Sequence, residues 1–527
     1  MINENHSDSS NAPCRFARSG DPMTLTYTQW SALTPFLFPL IGALIIPMMV
    51  LTRTKRNEKL VRWTMWLVTL WVLYAALKSV LQLWIGGHQP SYGPLLVDRL
   101  TQFGSLIVLG SAGLSVLQLW DHLHHEGWFK GETLALFLFS VAGLMIFMAS
   151  THLLVLFLAL ELFSLPLYVL TGSIRVRPEG AEGGLKYFIS GAVASSFLLL
   201  GIVLLFGLTG SLELMEISQF ARQQGWSDSL MLLGLGLMLF GVLFKMSAVP
   251  MHQWTPDVYQ AAPHPISGFM SVATKTAALI VFIRIFIWGF LGDAQVPSLD
   301  LKHFLSVIGI STLFVGNLTA LVQQNIKRML AFSSIAHAGY LLLAFVSGTE
   351  QSLQYVFYYL VIYGFTNIGL FGILTAFGWV GTQTDFDHAR GQGWKRPLLG
   401  MASLILLLNL AGLPPFAGFY AKYFIFRELV SSGHLSLAIF GVLASLIGVY
   451  FYLRLPVVLF MDQPAQGLAY AQDHHGVSSY FWSSTSVLIA VIAIIALSLW
   501  PQWLLDHIAI PTVQHPFRFI EPLITGN

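Results

Sequence analysis

Long apolar runs separated by short polar stretches fill this chain almost from end to end. A membrane-spanning helix needs about 20 mostly apolar residues. About fourteen segments meet that requirement. They lie near 32–51, 63–85, 100–120, 132–150, 152–171, 184–208, 229–250, 263–290, 303–322, 327–347, 352–381, 398–430, 436–461 and 481–505. The pattern predicts an all-α polytopic membrane protein. Two of the runs are interrupted. The seventh ends Gly241-Val242-Leu243-Phe244-Lys245-Met246-Ser247-Ala248-Val249-Pro250, and the twelfth contains Gly412-Leu413-Pro414-Pro415-Phe416-Ala417-Gly418-Phe419-Tyr420-Ala421-Lys422. Each pairs a proline break with a nearby lysine. Broken helices at membrane depth are tolerated where they face protein or a wet cavity. Runs four to eight and nine to thirteen each place the broken helix in fourth position. Five is odd, so the second set enters the membrane from the opposite side. Two inverted five-helix repeats with broken helices 7 and 12 are therefore expected. The resulting division is a polar tail over 1–30, three helices over 31–131, repeats over 132–290 and 303–461, and a last helix with a short tail over 481–527.

Composition narrows the chemistry. Of 527 residues, 55% are hydrophobic and 10% charged, against about 25% charged in soluble domains. A net charge of +2 gives no electrostatic case for nucleic acid. The single cysteine, Cys14, cannot form an internal disulfide or hold an iron–sulfur cluster, which takes about four ligands. There is no phosphate loop and no dinucleotide-binding glycine fingerprint. No cofactor or metal site is expected on this chain. Residues 1–30 lack the apolar run of a signal peptide, and Met23 is a second candidate start. Loop cations cluster on one face: Arg53, Lys55, Arg56, Lys59, Arg62, Lys130, Arg175, Arg177, Lys327, Arg328, Arg390, Lys395 and Arg396. The other face has Arg99, Arg222 and Lys302. The rich face is expected to be cytoplasmic and both termini periplasmic.

Ionisable residues inside a bilayer are costly and mark ion paths or relays. Glu161 sits near the middle of the fifth run and Lys275 in the middle of the eighth. A lone carboxylate there is neutralised unless a cation stands close, and Lys245 is the natural candidate. The plainer alternative is a static buried ion pair, which often adds little stability. Desolvation disfavours a charged lysine, so Lys275 suits proton exchange. Lys422 lies beyond the second break, and Lys186 follows the Gly183-Gly184 pair. Both have a snorkelling alternative. His337, in the tenth run, suits a proton relay and equally a hydrogen-bonded core position. His252 and His264 flank the loop after the seventh run. His122, His124 and His125, with Asp121 and Glu126, read as a solvated loop before a metal site. Arg284, Arg427 and Arg454 read as snorkelling near helix ends. Asn317, Asn367 and Asn409 serve as water holders or helix–helix glue.

Four stretches carry a resemblance. They are Glu161 to Tyr168, Met251 to Pro263, Asn325 to His337 and Leu410 to Lys422. Together they resemble the antiporter-like membrane subunits of respiratory complex I, the NADH:quinone oxidoreductase. Trp254 through Gln260 is similar to the N-type rather than the M- or L-type. The resemblance implies fourteen helices with two inverted repeats. It places the family's helix-5 glutamate on Glu161 and its lysines of helices 7, 8 and 12 on Lys245, Lys275 and Lys422. The helix-6 lysine falls on Lys186. It implies a non-redox subunit of a proton-translocating enzyme in the bacterial inner membrane. NADH, FMN, iron–sulfur clusters and quinone are then expected in partner subunits, with M-type and small membrane subunits as neighbours. The expected mechanism is a Glu161–Lys245 switch feeding Lys275 and then Lys422, with His337 and Lys186 as further relay residues. A subunit of a multisubunit cation/proton antiporter and a static scaffold subunit are the alternatives.

Overall fold

The computed structural model describes residues 27–54, 56–125, 130–174, 178–224, 229–290, 298–379, 384–462 and 480–508. The expectations for Cys14, Met23, Lys55, Glu126, Arg175, Arg177 and the polar tail before residue 27 fall outside them.

Among the described residues, twelve helices are long and apolar enough to cross a membrane. They are α1 (Tyr27–Leu51), α2 (Glu58–Gly86), α3 (Arg99–His125), α4 (Gly131–Ala149), α5 (Leu153–Thr171), α6 (Pro178–Thr209), α7 (Ser229–Met246), α8 (His264–Ile287), α9 (Ser298–Leu321), α11 (Glu350–Ala376), α13 (Leu435–Phe460) and α14 (Phe481–Leu499). Two further runs complete the set. α10 (Ile326–Ala344) carries Lys327, Arg328 and His337, which dilute its apolar signal, yet nearly every residue in it is buried. α12 is divided into α12a (Pro397–Ala411) and α12b (Ala417–Ser431). Each half is too short to span at 1.5 Å per residue.

α8 lies at the centre, with 94% of its most apolar stretch buried, against 39% for α6 and α9. It packs on α3, α4, α7 and α11. The two five-helix sets pack alike: α4 lies on α5 as α9 lies on α10, and α6 on α7 as α11 on α12. The same pairing order in both sets is consistent with a repeat.

Both breaks have a local cause. After α7 the chain turns through Ser247 at φ 62°, then enters a short helix, Trp254–Ala261. α12a ends at Gly412 with φ 77°. A Cβ there would sit 2.8 Å from Cδ of Lys422, so glycine serves both the backbone and the lysine. Asn409 Oδ1 then accepts the Gly418 amide at 2.8 Å, capping α12b from across the break. Asn409 Nδ2 donates to Thr366 at 2.8 Å, which makes this asparagine helix–helix glue.

Three arginines were expected to snorkel, and Arg284 does not. It is buried and donates to Asp98 (2.8 Å), Thr101 (2.9 Å) and the Met148 carbonyl (3.1 Å). The carboxylate of Asp98, just before α3, holds it inside, a partner that the local sequence around Arg284 does not show. Arg427 is exposed, and Arg454 reaches the Gln323 carbonyl and Gln324 at the end of α9. His122, His124 and His125 lie on the last turn of α3 rather than in a loop. Asp121 there accepts the Ser483 amide at 2.7 Å. Among the described residues no cluster of three or more such side chains is arranged to hold a metal ion.

Candidate functional site: three buried lysines and a histidine

Glu161, Ser164 and Tyr168 recur at helical spacing and share one face of α5. Lys245, at the C-terminal end of α7, points at that face. Its Nζ donates to Ser164 Oγ at 2.7 Å. Four aromatic rings surround the ammonium: Phe163 at 5.0 Å, Tyr168 and Tyr187 at 5.5 Å, and Phe244 at 5.7 Å. Ring faces are negative, so this cage favours a cation without neutralising it. Glu161 Oε1 is buried and has no hydrogen-bond partner. Among the described ion pairs, none joins Glu161 to Lys245. Glu161 stands close enough to act on the ammonium electrostatically, but the hydrogen bond goes to the Ser164 hydroxyl. The hydroxyls of Tyr168, Tyr187 and Tyr259 are also buried without partners. Buried polar groups normally find a protein or water partner, so these atoms are polar positions left unmet inside the bundle.

Lys275 lies where α8 changes from a π-helical turn (Met270–Thr274) back to α-helix. Such turns often occur at functional sites. Its Nζ donates to both the hydroxyl and the backbone carbonyl of Ser334. Tyr363 donates to the same hydroxyl at 2.9 Å, and its ring lies 6.0 Å from the ammonium.

His337 sits one turn beyond Ser333 and Ser334 on α10. Tyr359 of α11 meets its Nδ1, and Tyr452 of α13 meets its Nε2 at 3.0 Å. Tyr452 also bonds Ser333.

Lys422 donates to the Ala411 carbonyl at 2.9 Å and to Ser445 at 3.0 Å. Ala411 closes α12a, so this carbonyl is an orphan acceptor at the negative end of a helix. A cavity of about 10 Å³ is lined by His337, Tyr359 and Lys422, room for about one water. The stem of Lys422 also lines an apolar groove of about 890 Å³ between α12 and α13.

Lys245, Lys275 and Lys422 are 2%, 3% and 5% exposed. All three turn inward, and none bonds a carboxylate among the described residues. Lys186 does not join them. Its side chain is 49% exposed and bonds Glu182 (2.7 Å) and Asp257 (2.8 Å). Asp257, in the short helix after the break, also holds Arg328 at 2.6 Å. Burial works to raise the Asp257 carboxyl, but hydrogen bonds from Lys186 and Arg328 outweigh it and hold its pKa below the usual value. Lys327, counted above as a loop cation, is buried on the carbonyls of Gln260 (2.8 Å) and Ala262 (2.5 Å).

The family profile described as NADH:quinone oxidoreductase/Mrp antiporter, TM, matches residues 150–448. The chain belongs to this family. The matched span runs from the start of α5 into α13 and contains all four of these side chains. An NADH-quinone oxidoreductase subunit N of Trichlorobacter lovleyi is 42% identical over 69% of this chain and 75% of the relative. One from Acinetobacter baumannii is 34% identical over 94% of this chain and 98% of the relative. A chain of respiratory complex I from Thermus thermophilus, solved with bound aureothin, is 31% identical with a TM-score of 0.72, covering 90% and 98%. The family's antiporter-like fold thus extends over nearly the whole chain.

Ser164, Tyr359, Tyr363 and Tyr452 were not anticipated as site residues. Ser164 was in view, three residues after Glu161 on the same helical face. Tyr452 gave no signal, because an aromatic in an apolar run reads as a lipid-facing residue.

Proposed function

We propose that this chain is the N-type, proton-translocating membrane subunit of a respiratory NADH:quinone oxidoreductase in a bacterial inner membrane. The single observation that carries this reading is the state of its three buried lysines. Each ammonium is enclosed in the bundle and held by neutral oxygens alone, so each can lose or regain a proton without breaking an ion pair. NADH, flavin, iron–sulfur and quinone chemistry belongs to partner subunits, and M-type and small membrane subunits are the neighbours. The excess of loop cations on one face supports a periplasmic position for both termini.

The switch works through Glu161. A unit-charge pair at about 4 Å is worth about 4 kcal/mol at an effective dielectric of about 20. Moving one charge against 100 mV costs about 2.3 kcal/mol. Closing or opening the Glu161–Lys245 pair is therefore large enough to drive one transfer. With Glu161 close, the Lys245 ammonium is favoured. With Glu161 and Lys245 not joined in an ion pair, as in this structure, the desolvated ammonium gives its proton towards the buried hydroxyls of Tyr168, Tyr187 and Tyr259, and so towards Lys275. Lys422 is the second-half acceptor. Lys186 serves as a surface clamp rather than a relay.

The experiment is proton pumping by the assembled complex in proteoliposomes carrying Lys245→Ala or Lys275→Ala. Pumping should fall at least about tenfold at unchanged subunit content, a barrier change of about 1.4 kcal/mol. Wild-type pumping in both variants would overturn the reading.

A further inference from the structure

The cations of the cation-rich face are not used alike. Lys327 is buried on two backbone carbonyls and Arg328 holds Asp257. Arg390 holds Asp387 (2.9 Å) and Asp462 (3.2 Å), and Arg396 donates to the Ala376 carbonyl at 2.6 Å. Around the three leading helices the balance differs. Arg53 and Arg62 share one carboxylate, Glu58. Arg56, Lys59 and Lys130 are exposed and bond no carboxylate among the described residues. Packing brings these side chains to one place. Lys130 precedes Gly131, where a Cβ would meet Val50 near the end of α1 and Met65 in α2. Lys59, in the first turn of α2, and Arg62 lie near enough to His124, in the last turn of α3, to act on it electrostatically. Five cations thus stand against two carboxylates, Glu58 and Glu132, where four helices reach the edge of the bilayer. Beside them Leu51 and Leu60 are exposed. Trp63 rests on Trp120 with ring centres 4.2 Å apart, and indoles favour the boundary between apolar and wet surroundings.

We propose that this end of the three-helix unit binds the headgroup of an anionic phospholipid, with Arg56, Lys59 and Lys130 on the phosphate and Leu51 and Leu60 against an acyl chain. The chemistry favours a lipid over a protein partner. The cores of protein interfaces are depleted of lysine, whereas cations at the end of a spanning helix are drawn to anionic lipid. Phosphate oxygens accept from arginine and lysine alike. The apolar side chains alongside suit the other half of the same ligand, since a lipid brings its acyl chain with its charge. Glu58 does not spoil the site, because its carboxylate is already taken by Arg53 and Arg62. The unit precedes the span matched by the family profile, residues 150–448, and is separate from the buried lysines. The site therefore stands or falls independently of proton translocation.

The probe is phosphatidylglycerol, with phosphatidylcholine as the lipid of no net charge. Native mass spectrometry of the full chain should show phosphatidylglycerol held at least about tenfold more tightly than phosphatidylcholine. The combined variant Arg56→Gln, Lys59→Gln and Lys130→Gln should lose that preference. The variant Arg222→Gln with Lys302→Gln, on the other face, should keep it. Equal retention of the two lipids by wild type, or an unchanged preference in the triple variant, would overturn the proposal. If the triple variant does not fold, photoactivatable phosphatidylglycerol in the assembled wild-type complex decides. Labelling within residues 48–67 supports the site. Labelling that leaves this segment unmarked, as when a partner subunit covers it, would overturn it.

Discussion

In the first half of the molecule, the Lys245 ammonium rests among aromatic faces with one hydroxyl bond, and Glu161, one turn from that hydroxyl, leaves an oxygen bare. In the second half, Lys422 is bonded twice and His337 is bonded at both nitrogens. α5 and α10 hold the same place in the two sets, so Glu161 and His337 are counterparts by order. One is an acid with an unpartnered oxygen, and the other is an imidazole bonded from both sides. A half with unmet bonds can change state, whereas a half with its bonds made can pass a proton along. Under the proposed function, the first half holds the switch and the second holds the acceptor, Lys422.

Several substitutions would break or sharpen that contrast. Lys245→Ala should cost the most, on the order of a hundredfold in pumping, because the cage holds no second cation. Equal pumping in the variant would remove the switch. Glu161→Gln should cost less, about tenfold, since the structure already shows Lys245 held without it. A loss as large as that of Lys245→Ala would mean that the ion pair is required at every stage. Gly412→Ala tests the second half. It forces a side chain into φ 77° and into contact with Lys422. It should lower stability by about 1–3 kcal/mol, read as a lower unfolding temperature of the complex, and an unchanged temperature would contradict the packing described here. Asp257→Asn should have the smallest effect on pumping, within about twofold. Its carboxyl pKa is held below the ordinary 3.8. The stability it gives is present above that range and lost only as pH falls through the depressed value. The loss of thermal stability in Asp257→Asn should therefore be equal at about pH 6 and pH 8. A difference between the two would place a titrating group in the clamp.

The sequence made some of this plain and hid the rest for physical reasons. Apolar runs of spanning length are long-range signals that tolerate noise, and the breaks at Pro250 and Pro414 stand out from them. Lys245, Lys275 and Lys422 were legible because a cation at membrane depth has few ordinary explanations. The motifs around Trp254 and Pro414 pointed to the family. Partner choice was not legible. Ser164 and Glu161 lie on the same helical face, and nothing local says which of them Lys245 meets. Arg284 looked like a helix-end residue because its partner, Asp98, is far away in sequence. Lys186 looked like a membrane lysine until Asp257, brought from beyond the break, fixed it at the surface. Tyr359 and Tyr452 reach His337 through hydroxyls brought from other helices, which no local pattern shows.

The most direct test is pumping by purified, fully assembled complex carrying Lys275→Ala, measured as acidification of proteoliposomes and normalised to quinone reduction. A proton path through the enclosed centre of α8 predicts loss of at least about tenfold in protons moved per electron pair. A wild-type ratio in that variant would show that the protons travel elsewhere.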